Sequence, residues 1–188
     1  MTATKLNRDN WPIAAAMINF PGVLPDGSLV QEQTVEQWKE SLDQVVDAGF
    51  TELDPTDSWL RVADLSPERL SDFMALTKSI GLTIPAISTS RRSVIDPERG
   101  DEFLAYNHRV IDTAARIGAK AVCFGLFGAI TETQRKELWF WTADGVKNPD
   151  DPVIYRKAVE RIRELGKHAA ELGIEVSLEM YEDTYIGT

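Results

Sequence analysis

A chain of 188 residues with a net charge of −10 is long enough for one domain with a sizeable core, and too acidic for a nucleic-acid partner, whose phosphates need basic surface. Hydrophobic residues at 43% and charged ones at 27% are ordinary for a soluble globular protein. The lone cysteine, Cys123, excludes a disulfide framework, and neither a signal-peptide core nor a membrane-length apolar run is present, so a cytoplasmic protein without a membrane partner is expected.

After a polar lead, Pro12 to Ile18 is a short apolar run suited to a first buried strand, broken by Asn19-Phe20-Pro21-Gly22. Thr34 with Gln37 reads as a capping box. It opens a helix whose stripe of Val35, Trp38, Leu42, Val45 and Val46 ends at Gly49. Phe50 to Leu53 is a second strand, followed by the loop Asp54-Pro55-Thr56-Asp57-Ser58-Trp59. Ser66 and Pro67 are the cap and first residue of the next helix, which closes before Gly81. Leu82 to Ile87 is a third strand, with Ser88-Thr89-Ser90-Arg91-Arg92 as the loop beyond it. A long helix is expected from Pro97 to Ile117. Ala119 to Phe124 is a fourth strand, apolar enough to be covered on both faces. Gly125 to Pro152 reads as a long irregular stretch containing Trp139-Phe140-Trp141. Tyr155 to Leu172 is a fourth helix, and Ile174 to Leu178 a fifth strand.

Five strands alternating with four helices predict a parallel α/β sheet with right-handed crossovers. An open doubly wound sheet and the first part of a (β/α)8 barrel both satisfy that pattern. The chain stops just past a strand with no covering helix, which favours the barrel: residues 1–188 are expected to form a single domain, the N-terminal part of a barrel covering about the first five strands.

Glu179 ends the fifth strand, at the carboxyl end where α/β folds place their chemistry. A carboxylate there binds a cation or pairs in a structural salt bridge. Asn19, Asp54 and Ser88 each follow a strand and can hydrogen-bond the hydroxyls of a ligand, and each is also a common turn or capping residue. Trp59, Trp139 and Trp141 can stack on a flat ligand or pin loops to the rim. Arg91 and Arg92 suit an acidic group or ion pairing, of which ion pairing is favoured. His108 and His168 fall within helices and read as structural, and Cys123 as a small core residue.

The segment Ala169 to Glu179, with Asp47-Ala48-Gly49-Phe50-Thr51-Glu52-Leu53 and Arg116-Ile117-Gly118-Ala119-Lys120-Ala121-Val122, resembles the xylose isomerase-like TIM barrels, which include sugar phosphate isomerases and sugar 3-epimerases. That resemblance implies a divalent-metal enzyme acting through enolate-type chemistry, with Glu179 as one ligand of Mn²⁺ or Mg²⁺ and the other ligands on later strands. The Asn19 turn, the Asp54 to Trp59 loop and the Trp-rich stretch are also similar to the α subunit of bacterial C-glycoside deglycosidases, a branch of those barrels. It implies cleavage of a carbon–carbon bond in an oxidised aromatic C-glycoside and a small β subunit as partner. With the aromatic stretch, deglycosidase is the first expectation and sugar isomerase or 3-epimerase the alternative. A DNA-repair endonuclease on the same barrel needs histidines at strand ends, and none stand there. A non-catalytic barrel module that works only with a partner is the remaining reading, and the open sheet edges predict an oligomer.

Overall fold

A computed structural model of the chain describes residues 12–89, 91–137 and 139–187; the polar lead, Ser90, Leu138 and Thr188 lie outside the described residues, as does the side chain of Phe140. Strands β1 (Ala14–Ala16), β2 (Glu52–Asp54), β3 (Ala86–Thr89), β4 (Ala121–Phe124) and β5 (Glu175–Leu178) are joined by helices. The helices are α1 (Val35–Asp47), α2 (Pro67–Ser79), α3 (Gly100–Ile117), α4 (Glu132–Lys136) and α5 (Pro152–Glu171). These five strands pair in parallel, with β1 beside β2 and β3-β4-β5 as a second ladder. The order is that of the first five strands of a (β/α)8 barrel.

The ladder breaks between β2 and β3 because of Pro85. Proline has no N–H to donate, so the expected third strand from Leu82 cannot run unbroken, and pairing begins at Ala86. Before the proline, Thr83 still bridges to Glu52: Leu53 donates to the Thr83 carbonyl at 2.8 Å and Thr83 to the Thr51 carbonyl at 3.0 Å. The Pro85 carbonyl instead accepts from Lys120 and Ala121 on the β4 side.

Register divides the side chains into two rows, since successive residues of a strand point to opposite faces. Leu53, Ile87, Val122 and Phe124 are buried against the helices, in one cluster with Trp38 and Leu42 of α1, Phe73 of α2, Val110 and Ile111 of α3, and Leu165 of α5. The other row, Asp54, Ser88, Cys123 and Ser177, forms the inner face of the barrel and is not fully buried. Coverage on both faces, expected for the fourth strand, is therefore absent in the described residues: Val122 is buried while Ala121 and Cys123 are half-buried. The apolar run misled because alanine and cysteine tolerate an inner face as well as a core.

Local signals largely act as they read. The Thr34–Gln37 capping box closes, and the Ser66 side chain accepts from the Arg69 N–H before Pro67. Gly118, at φ 83, takes the left-handed position that ends α3. Two corrections concern the stretch after β4. A second capping box, Thr131 with Gln134, starts the short α4 inside a region read as irregular. Asp151 caps α5 by accepting from the Val153 N–H, so that helix begins at Pro152 and not at Tyr155. No helix among the described residues is long and apolar enough to cross a membrane.

Phe73 holds the helical layer together. It is fully buried, with the Trp38 ring edge-on at 5.8 Å and the Trp59 ring tilted at 6.2 Å. Truncation leaves a cavity between two indoles that cannot close it, so Phe73→Ala is expected to cost about 3–5 kcal/mol in urea unfolding. A loss below about 1 kcal/mol would show that the two tryptophans do not share a packed core with it.

Candidate metal and substrate site

The carboxyl ends of β2, β3, β4 and β5 bring acidic and small polar groups to one inner face. Asp54, the last residue of β2, is hydrogen-bonded by Ser88 twice: the Ser88 N–H donates to Oδ1 at 3.0 Å and its hydroxyl to Oδ2 at 2.5 Å. Two strands on, Ser177 pairs with Cys123, and Glu179 follows with its N–H on the Phe124 carbonyl at 2.8 Å. The row is electrically coupled. Burial raises the Asp54 carboxyl above the ordinary aspartate range, the Ser88 bonds oppose that, and the charge of Glu179 adds to it. Burial likewise pushes the Cys123 thiol up, with the charges of Glu179 and Asp54 adding to the rise. Cys123 thus faces the site and not the core, contrary to the sequence expectation.

Below this row a buried network sets the loops. Asp57 accepts from the Arg92 Nε at 3.0 Å and from the Tyr106 hydroxyl at 2.8 Å, and its own N–H reaches the Ser88 carbonyl at 3.2 Å. Burial raises the Asp57 carboxyl while Tyr106 and Arg92 hold it down, and burial beside that carboxylate pushes the Tyr106 phenol up. Arg92 is ion-paired, as expected from an acidic chain. The signal for Asp57 lay in the loop sequence, but its partners come from β3 and α3.

The other candidate residues separate. Asn19 ends a 3-10 turn directly after β1 and is exposed. Gly22 lets that turn approach the second loop, since a Cβ there would collide with the Ser58 carbonyl. Trp59 is only 3% exposed and packs on Phe73, so it belongs to the core and offers no surface to a ligand; its place after a strand was a misleading cue. Trp139 and Trp141 are 58% and 53% exposed, with ring centroids 5.1 Å apart. Trp141 lines a recess with Arg91, Phe127 and Tyr181, the last only two residues beyond Glu179. Phe127 stacks on Tyr181 at 4.5 Å, the Arg91 guanidinium lies 4.9 Å from the Phe127 ring, and Arg91 donates to the Gly128 carbonyl at 2.9 Å. The aromatic loop is therefore anchored to the segment that follows Glu179. The Asn148 N–H on the Asp183 carbonyl at 2.8 Å and the Tyr185 hydroxyl on the Pro149 carbonyl at 2.7 Å add to that anchor.

Among the described residues no three His, Cys, Asp or Glu side chains converge on one metal position. What the site does hold is two carboxylates, Asp54 and Glu179, at the carboxyl ends of β2 and β5; burial first, and then the charge of Glu179, raises the cost of ionising Asp54, a cost that a cation relieves.

Because the folded state raises the Asp54 proton affinity above that of the unfolded chain, the ionised form costs stability at neutral pH, and this cost fades as pH falls through the folded titration. In metal-free protein, Asp54→Asn keeps an acceptor for the Ser88 N–H and should be more stable than the wild type at pH 7, with the gain shrinking towards pH 4. Asp54→Ala strands the Ser88 N–H and should instead lose about 1–3 kcal/mol. Urea titrations at the two pH values check both, and an Asn variant weaker than wild type at pH 7 would refute the charge argument.

Residues 16–188 match the family described as xylose isomerase-like TIM barrel. No curated protein sequence matches the chain. Among solved structures, a xylose isomerase-like TIM barrel protein from Mycobacterium smegmatis, in complex with magnesium, superposes with a TM-score of 0.90 at 45% identity, over 96% of this chain and 58% of that one. D-psicose 3-epimerase from Clostridium cellulolyticum, with D-tagatose, gives 0.58 at 17% identity over 80% of this chain and 50% of its own. The 3-keto-D-glucoside 4-epimerase of E. coli gives 0.55 at 18%, over 77% and 51%. These last two share the fold, and the chain spans somewhat over half the length of the Mycobacterium smegmatis protein and about half that of the two epimerases. The chain belongs to the xylose isomerase-like TIM barrel family.

Proposed function

We propose that this chain carries the first part of the active site of a divalent-metal-dependent sugar isomerase or epimerase. The carrying observation is the pair of carboxylates at the carboxyl ends of β2 and β5, a partly buried Asp54 whose ionisation burial and the charge of Glu179 make costly, and Glu179 itself. That the 45%-identical relative is in complex with magnesium supports a divalent metal as the cofactor. Glu179 would be a ligand of Mg²⁺ or Mn²⁺, with further donors from outside the residues described. Such a cation supplies Lewis acidity, polarising a sugar carbonyl and acidifying the neighbouring C–H. Asp54, whose proton affinity burial raises in the metal-free chain, suits holding or passing a proton, while Ser88 fixes both of its oxygens. Asn19 at the end of β1 and Ser88 at that of β3 offer hydrogen bonds to substrate hydroxyls.

Glu179→Gln in the full-length barrel is expected to weaken Mn²⁺ or Mg²⁺ binding at least about tenfold by calorimetry, with circular dichroism unchanged. Unaltered metal affinity in that variant would remove Glu179 from the ligand set.

A second reading keeps the metal but changes the substrate to an aromatic glycoside, cleaved by a carbon–carbon lyase of the C-glycoside deglycosidase kind. The half-exposed indoles of Trp139 and Trp141, on the loop tied to the Glu179 segment, favour it. Replacing both with Ala should weaken an aromatic glycoside about fivefold, the worth of about 1 kcal/mol of ring contact, and spare a free sugar. Equal effects on both substrates would leave the isomerase or epimerase reading alone.

A further inference from the structure

On the outer layer, far in sequence from the strand ends, four titratable side chains form a line across the contact between α3 and α5. The Nδ1 atoms of His108 and His168 stand 2.7 Å apart. Beyond them, the His108 Nε2 lies 2.8 Å from Glu164 and the His168 Nε2 2.9 Å from Asp112. We propose that the two histidines share one proton and make the α3–α5 contact a clamp that is tightest at a single state of charge.

The proton count follows from donor chemistry. An ionised carboxylate only accepts, so each Nε2 must carry a hydrogen. Two bare Nδ1 lone pairs at 2.7 Å repel, and two N–H groups at that distance collide. Only N–H···N satisfies the pair, which places three protons on four ring nitrogens. The line then holds one imidazolium's charge between two carboxylates, Glu164 from α5 and Asp112 from α3. Along the same contact Arg161 of α5 is ion-paired to Asp101 and bonded to the Val94 carbonyl at 2.5 Å, so its charge is already answered. The Ile174 N–H bonds the Ala169 carbonyl at 2.8 Å, so α5 passes directly into β5, and the clamp bears on the strand that presents Glu179.

The folded pair holds one proton beyond two neutral rings. Two ordinary histidines in the unfolded chain hold the same average number where each is half-charged, at about pH 6.5. Below that the unfolded chain binds more protons, so the clamp's contribution rises with pH; above it the unfolded chain binds fewer, and the contribution falls. A maximum between the two follows, which a simple histidine–carboxylate ion pair does not give, because that contribution only declines as pH rises.

The test is a double-mutant cycle with His108→Gln, His168→Gln and both, in full-length protein, reading urea midpoints between about pH 5.5 and pH 8 with and without EDTA. The coupling between the two sites should peak near pH 6.5, fall on either side, and be the same in EDTA. A flat or steadily declining coupling overturns the shared proton, and a peak that EDTA abolishes assigns the bridge to a metal ion instead. Should the double variant fail to fold, ¹⁵N-histidine spectra of the wild type decide. Averaged Nδ1 shifts between bare and protonated values support the clamp, and two neutral rings at pH 6.5 refute it.

Discussion

The missing N–H of Pro85 shapes both the sheet and the site. A parallel ladder needs a donor at every second residue, and this one fails where β2 and β3 should join. Backbone bonds through Thr83 repair the seam at the amino end. At the carboxyl end a side chain does so: Asp54 takes the Ser88 N–H that the β2 backbone would otherwise meet, and the Ser88 hydroxyl closes a second bond. The residue that mends the sheet is therefore the one that puts a carboxylate opposite Glu179.

That double role explains the electrostatics. Asp54 is held partly buried by its staple to Ser88, so it bears a desolvation cost that an exposed carboxylate would not. Glu179 adds its own charge on the same face. The Asp57–Arg92–Tyr106 network behind the row pairs its own charges and holds the Ser88 carbonyl.

The loop after β4 is tied to the other side of the same site. It carries its own capped turn in α4 and lays Trp141 beside Tyr181 and Arg91. Its contacts with Asp183 and Tyr185 mean that the aromatic surface and the segment leaving Glu179 share one set of anchors. Long loops on the carboxyl face of a barrel carry specificity because the strands fix their ends while leaving their tips free to vary.

The capping box at Thr34, the N-cap at Ser66, the glycine ends of the helices and the position of Glu179 after a strand were legible in the sequence, since each depends on neighbours within a few residues. The parallel α/β sheet was legible for the same reason, because alternating βα units leave few topologies, although an open sheet and a barrel fit that alternation equally. What required tertiary structure depends on residues far apart in the chain. Trp59 has the sequence context of a rim residue, and only Phe73 of α2 makes it core. Cys123 sits in an apolar run, and only register against Ser177 turns it inward. Asp54 and Ser88 were each recognisable as strand-end polar residues, yet their bond crosses 34 positions, and nothing local announces it. His108 and His168 could be placed on helices, but their contact spans 60 positions and depends on how two helices lie side by side. Periodicity and capping are short-range physics; which face meets which is decided by packing, and the chemistry of this site is made of such meetings.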